Sequence, residues 1–169
     1  TPRIVMAHAD VQTVMGLANG RRTRQLADYL AALLGQLAAA GAQIAAIPAF
    51  APQVCADELA ESTPLPLISL LDSIVDEVRR RRLSRVAVFG ARVTIETGLF
   101  GRLRNITDVV SAEPEEIEQV SNIYGSIVKN ERASSNELLI LRTIAHSLIE
   151  RENLDSILLA GTDFSCALH

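Results

Sequence analysis

The stretch IAAIPAFAPQVCADELAESTPLPLISLLDSI, residues 44–74, holds the pattern that decides the fold. Ile44 to Ile47 is a short, continuous apolar run, the signature of a strand buried on both faces. Pro48 and Pro52 cramp the next turn, and a helix is predicted from about Gln53 to Glu61. A second short strand is predicted over Leu65 to Leu70, with Pro64 and Pro66 near its start. Asp72 is placed to cap a helix running through Val75 and Val78 to Arg79–Arg82. Strand, turn, helix and strand again is the rhythm of a parallel sheet. Small-molecule enzymes often seat a reactive group at such a strand-to-helix turn. Here the turn is Pro48-Ala49-Phe50-Ala51-Pro52-Gln53, with no acid, base or thiol.

The same rhythm extends both ways. Upstream, Arg21 to Ala40 reads as a helix, with Leu26, Leu30, Leu33, Leu34 and Leu37 on one stripe and Gly41 as its stop. Arg3 to Ala7 reads as a strand. Downstream, strands are predicted at Arg85–Gly90, Thr107–Val110 and Ser156–Ala160. Helices are predicted at Thr94–Leu103, from Glu113-Pro114 onward, and from the capping box Ser134/Glu137 to about Glu150. The fold class is therefore α/β with mainly parallel sheet, arranged as one sheet or two small ones. In such sheets ligands bind beyond the carboxyl ends of the strands. Those ends lie near His8, Ala49, Gly90 and Gly161. No GxGxxG or GxxxxGK[ST] follows a strand, which argues against a dinucleotide or nucleoside-triphosphate site.

Composition narrows the function classes. The 169 residues carry 16 basic and 20 acidic side chains, a net charge of -4, and 49% hydrophobic residues. That balance suits a globular domain and argues against a nucleic-acid surface. The run Arg79–Arg82 sits where cations suit a helix C-terminus. The two cysteines, Cys55 and Cys166, form no CxxC or Cys/His cluster, so neither a metal site nor a disulfide framework is expected. No run is long enough to cross a bilayer and no signal peptide is present, so no membrane partner and a cytoplasmic location are expected. The chain opens at Thr1 without Met, and a further N-terminal segment is expected to precede it.

The residues resemble a family. IPAFAPQVCADEL, residues 47–59, is similar to the first active-site motif of the aspartate/glutamate racemases, I-P-C-N-T-A-H followed after three residues by D-E-L. Ile47, Pro48, Asp57, Glu58 and Leu59 match. Ala49 stands at the cysteine, and Phe50, Ala51 and Gln53 stand at the Asn, Thr and His. ILLAGTDFS, residues 157–165, resembles the second motif, I-L-G-C-T-E-L, with Thr162 matching, Asp163 for Glu and Gly161 at the second cysteine. Between them, VFGARVTIETGLFGRL resembles the G-T-x-x-T segment through Gly90 and Thr94. A branch with Thr-Pro-His in the first turn and Ala-Gly-Thr-Asp in the second is the most similar, although Gln53 replaces its His.

The resemblance implies two pseudo-symmetric α/β lobes, expected over residues 1–75 and 76–169, with the chain end able to return to the first. It implies a small amino acid or carboxylate held between the lobes, proton transfer or isomerisation without cofactor, and a homodimer. In the family, inversion beside a carboxylate uses two thiols, one on each face. Ala49 and Gly161 cannot move a proton, so any chemistry here differs. Cys55 and Cys166 lie six and five positions beyond those seats. A six-residue shift along a helix is about 9 Å, and packing is the default reading for both.

Asp163 is the remaining acid/base candidate; a plain N-cap is the alternative. Ala49, Phe50, Ala51, Gln53, Gly90, Arg92, Thr94, Gly161 and Thr162 are the candidate substrate contacts. Thr94 and Thr162 would offer hydroxyl and backbone donors to a carboxylate, and Arg92 a bidentate pair. Capping for the threonines and an unpartnered surface position for Arg92 are the plainer readings. His8 near a strand exit and His146 near an apolar helical stripe read as structural; His169 is terminal. An inactive homologue that binds a small acid or a partner protein is the alternative to an enzyme.

Overall fold

The computed structural model describes residues 3–167, with side chains through Phe164. The chain divides into two compact units, Thr1–Leu70 and Leu71–His169.

In the first unit, Asp10 accepts the backbone N–H of Thr13 at 2.7 Å and so caps a helix α1, Val11–Asn19. The predicted leucine stripe lies on α2, Thr23–Ala39, where Leu26, Leu30 and Leu34 are buried. Gly41, at φ +90°, takes the chain off the helix in the left-handed region where glycine has no Cβ penalty. Two short strands, β1 (Ala45–Ala46) and β2 (Leu67–Ile68), pair in parallel with Ala45 opposite Leu67. Between them come a 3-10 turn, Ala51–Cys55, and helix α3, Ala56–Ser62. The core of the unit gathers Val14, Leu26, Leu30, Leu34, Cys55 and Leu59.

Arg3–Ala7 does not form the expected strand. Ile4 and Met6 are 81% and 89% exposed, and no strand among the described residues pairs with this segment. An extended run without a ladder partner has nothing to hold it as sheet.

In the second unit, helix α4 covers Leu70–Arg81 and contains Asp72 in its first turn instead of before it. Strand β3, Arg85–Gly90, is central in a three-stranded parallel sheet ordered β4-β3-β5, with β4 at Asp108–Val109 and β5 at Ser156–Ala160. Val86 through Gly90 are buried, as a strand flanked on both sides must be. Asp155 pins the start of the β3–β5 pair: its Oδ2 accepts the N–H of Ser84 at 2.6 Å and of Arg85 at 2.9 Å. Helix α5 is short, Arg92–Glu96. The predicted continuation to Leu103 fails because Gly98, Leu99, Phe100 and Gly101 all turn to positive φ.

Helices α6 (Pro114–Asn130) and α7 (Ser135–Glu152) cover the sheet. The predicted capping box is present: Ser134 Oγ accepts the Glu137 N–H at 3.2 Å, and Glu137 Oε2 accepts the Ser134 N–H at 2.7 Å. Arg151 on α7 grips Glu116 on α6 with two bonds, of 2.9 and 3.2 Å. The last helix, α8, is Thr162–Ala167. Ala87, Phe89, Val120, Ile127, Leu148 and Phe164 lie in the core of this unit. Among the described residues, no helix is long and apolar enough to cross a membrane.

The arginine run is a solvated helix end. Glu77 accepts from Arg80 and Arg81, and those two bonds hold its carboxyl down at about 2.

Candidate functional site

Two strand exits carry the predicted residues. At the first, the chain leaves β1 through Ile47 and Pro48. Ala49 is exposed, Phe50 and Ala51 are half-buried, and Pro52 is buried. Gln53 folds back over the turn. Its Nε2 donates to the carbonyl oxygens of Ile47 at 3.1 Å and Ala49 at 2.9 Å. Both amide hydrogens are thus committed to backbone carbonyls, and the side chain works as a latch on the exit. Cys55 is fully buried and its thiol donates to the Pro52 carbonyl at 3.2 Å. Burial, reinforced by the charge of Glu58, pushes that thiol up to about 11. At neutral pH it stays protonated and is no nucleophile. The side chain of Cys166 and the whole of His169 lie outside the described residues.

The second exit lies in the Leu71–His169 unit. β3 and β5 run in parallel register to their ends, with Gly90 opposite Ala160. A Cβ on Gly90 would stand 2.8 Å from the Ala160 carbonyl oxygen, so the two strand ends approach at a distance only glycine allows. Beyond them the chain turns at Ala91–Thr94 and at Gly161–Asp163. Thr94 is 0% exposed; its N–H donates to Ala91 O at 2.9 Å, and its Oγ1 has no partner. Arg92 is exposed and pairs with Glu96, one turn on, at 3.3 Å. Thr162 is exposed and Asp163 half-buried. Asp163 lies in the first turn of α8, one position inside the helix. At five and six residues, α5 and α8 are too short to add much axial dipole.

A residue that carried no signal in the sequence dominates this exit. A Cβ placed on Gly161 would stand 2.4 Å from Tyr124 Cε2 and 3.0 Å from both Cζ and the hydroxyl oxygen. The phenol of Tyr124, on α6, therefore fills the space into which a side chain at 161 would project. Phe164 packs against the same ring, with ring centroids 5.1 Å apart and planes tilted by 45°. Burial, and then the charge of Asp163, pushes the Tyr124 hydroxyl up to about 12.

His8 is exposed ahead of α1, and His146 is exposed on α7, off the stripe of Leu141, Ile144 and Leu148 beside which it was expected. Among the described residues, no group of His, Cys, Asp and Glu could hold a metal ion.

The Asp/Glu/Hydantoin racemase family model matches residues 1–169. The chain belongs to that family. The Asp/Glu racemase fold is seen in solved structures too. A Yersinia pestis protein proposed as an Asp/Glu racemase shares 19% identity at a TM-score of 0.82, over 98% of this chain and 73% of that one. An aspartate racemase homologue from Pyrococcus horikoshii OT3 shares 22% at 0.78, over 99% and 74%. Picrophilus torridus aspartate racemase shares 14% at 0.63, over 85% and 59%. At these identities the likeness establishes the fold. No curated protein matches the chain.

For a member of the racemase family, Gly161 has a testable packing role. Gly161 is not among the glycines at positive φ, so its backbone accepts alanine without strain, and the three nearest atoms a Cβ would meet all belong to Tyr124. Gly161→Ala is expected to destabilise by about 1–3 kcal/mol, the range of overpacking, read by urea denaturation. In a Tyr124→Ala background the same change should be neutral within about 0.5 kcal/mol, or slightly stabilising through the stiffer unfolded chain. Equal penalties in both backgrounds would show that Tyr124 is not what keeps position 161 bare.

Proposed function

We propose that this racemase-family chain acts on a small amino acid or other small carboxylate, in the inter-lobe cleft the family resemblance implies. The reaction is cofactor-independent proton transfer or isomerisation by chemistry other than two thiols. Asp163 is the acid/base group, and the turns at Gly90–Thr94 and Gly161–Thr162 hold the carboxylate. The observation that carries the reading is the register of β3 and β5. Both strands end level, at Gly90 and Ala160, so the turns bearing Thr94, Thr162 and Asp163 leave at one edge of the sheet, where open parallel sheets bind ligands. Thr94 Oγ1 supports it: a buried hydroxyl without a partner costs about 1–3 kcal/mol, which a ligand oxygen would recover. Ala49, Phe50 and Ala51 form the wall at the other exit. The cysteine usage fits a cytoplasmic location, and a homodimer is the expected assembly.

A second reading is an inactive homologue that binds a small acid or a partner protein. The first exit favours it, since Ala49 carries no proton, Gln53 is committed to two carbonyls and Cys55 is sealed in the core.

Proton exchange separates the two. Incubated in heavy water with D- and L-aspartate and D- and L-glutamate, the enzyme reading expects deuterium at the α-carbon of at least one. A thermal shift with one of these acids but no exchange expresses the binder. Neither exchange nor shift with any of them would overturn both readings for these acids.

A further inference from the structure

Two proton carriers belong to the second exit, Asp163 in α8 and Tyr124 on α6, and Tyr124 is the one the family pattern does not provide. Its ring lies against both Gly161 and Phe164, with the hydroxyl 3.0 Å from where a Cβ at 161 would lie. No hydrogen bond among the described residues takes up that hydroxyl. Asp163 comes two residues after Gly161, and its charge, after burial, helps to raise the phenol. At the other exit, Pro48–Gln53, no side chain can move a proton.

We propose that Tyr124 is a catalytic acid that takes the place of the missing thiol at position 161, and that it works with Asp163 on one face of the substrate. This rests on the proton-transfer reading above and sharpens it. Asp163 accepts the α-proton as the Cα–H bond breaks, and the bonding pair moves into the substrate carboxylate to give an enediolate. The Tyr124 hydroxyl then gives its proton to the same carbon, re-forming the C–H bond and leaving a phenolate. The proton on Asp163 passes to that phenolate, directly or through solvent, and both groups return to their starting state. Because removal and return use one strand exit, the configuration is kept. The product is exchange with retention, or a proton shift across one face, and not inversion. A phenol that stays protonated through neutral pH is in the right form to donate.

The test uses the full chain, the four amino acids above, and two readouts: deuterium entry by proton NMR and enantiomer composition by chiral chromatography. The expected result is deuterium at the α-carbon with unchanged configuration. Tyr124→Phe keeps the ring against Gly161 and Phe164, and should slow exchange at least tenfold while leaving the thermal shift with the same acid intact. A packing role would not move a pH profile. With 3-fluorotyrosine at position 124, in a Tyr29→Phe background, the more acidic phenol should bring the alkaline fall of the exchange rate to lower pH.

Three results overturn the inference, and they differ in what else they remove. Exchange in Tyr124→Phe at the rate of the unmodified chain removes Tyr124 and leaves proton transfer standing. Inversion by the unmodified chain removes the one-face arrangement. No exchange in the unmodified chain, with a thermal shift present, removes proton transfer itself and leaves the binder.

Discussion

Asp163→Asn is expected to slow deuterium entry at the substrate α-carbon by about 100-fold or more, the lower end of what a positioned acid or base contributes. Expressed as a barrier, that is about 2.7 kcal/mol. The carboxamide keeps the shape of the side chain in the first turn of α8 and removes only its charge and its capacity to take a proton. Stability should change little, by no more than the roughly 0.3–1 kcal/mol an acid contributes at a helix start. The neighbouring phenol supplies a second readout. The charge of Asp163 is one of two causes that raise the Tyr124 hydroxyl to about 12, burial being the larger. Removing it should let that phenol titrate at lower pH, visible by ultraviolet titration in a Tyr29→Phe background. If exchange persists at full rate while the phenol moves as expected, the two groups are neighbours but Asp163 is no catalyst. If the phenol does not move, the coupling on which the pair depends is absent.

The strands were legible where they are longest. β3 and β5 occupy the residues expected, Arg85–Gly90 and Ser156–Ala160, because a continuous apolar run between turn residues has few other stable uses in a chain of this rhythm. The capping box at Ser134 was legible for a related reason: its residues interact over three positions, and local rules suffice. Other features depend on partners that one sequence does not name. Arg3–Ala7 is a short, mostly apolar run that reads as a strand yet has no ladder among the described residues, and sheet formation needs that second chain segment. α5 stops at Glu96, just ahead of Gly98 at φ +57°, a glycine stop the sequence does offer; the run that follows, Leu99 and Phe100 both at φ +58°, is what nothing in those side chains announces. α1 was missed although Asp10 and Thr13 stand at cap spacing, since Gly16 in the middle of the segment lowers its helical propensity.

The site divides along the same line. Asp163, Gly161 and Gly90 were legible as the furniture of strand ends, since the α/β pattern fixes where strands stop. The role of Gln53 was not, because a side chain that folds back onto Ile47 and Ala49 looks in sequence like one that faces a ligand. Tyr124 left no trace at all. It lies 37 positions before Gly161, and only the packing of α6 against β3 and α8 brings its ring to that glycine. The nearest signal was compositional: one of two tyrosines in a chain with 4% aromatics, set on a stripe with Ile117, Val120 and Ile127.

Phe164→Ala should be the most destabilising single truncation at the site. The ring is 0% exposed and is packed in the same core as Phe89, Ile95, Val120 and Ile123. Deleting a buried phenylalanine ring costs about 3–5 kcal/mol through lost transfer energy and the cavity left behind. The Tyr124 contact at 5.1 Å contributes about 0.5–1.5 kcal/mol of its own. Against a total stability of about 5–15 kcal/mol for a typical domain, most of the margin of the second unit would go. Each unit holds one tyrosine, Tyr29 in the first and Tyr124 in the second, and the chain has no tryptophan. Urea unfolding followed by tyrosine fluorescence in a Tyr29→Phe background therefore reads the second unit directly. The midpoint there should fall steeply for Phe164→Ala, while Phe164→Leu, closer in volume, should lose far less. The leucine variant then carries the sharper consequence. It keeps the unit folded but gives Tyr124 a smaller, non-planar neighbour, so the phenol can tilt away from Gly161. If Tyr124 acts only as filler, exchange in Phe164→Leu should match the unmodified chain. If the hydroxyl must stand over the strand exit to deliver its proton, exchange should drop severalfold at nearly unchanged stability, and restoring a planar ring with Phe164→Tyr should recover most of it.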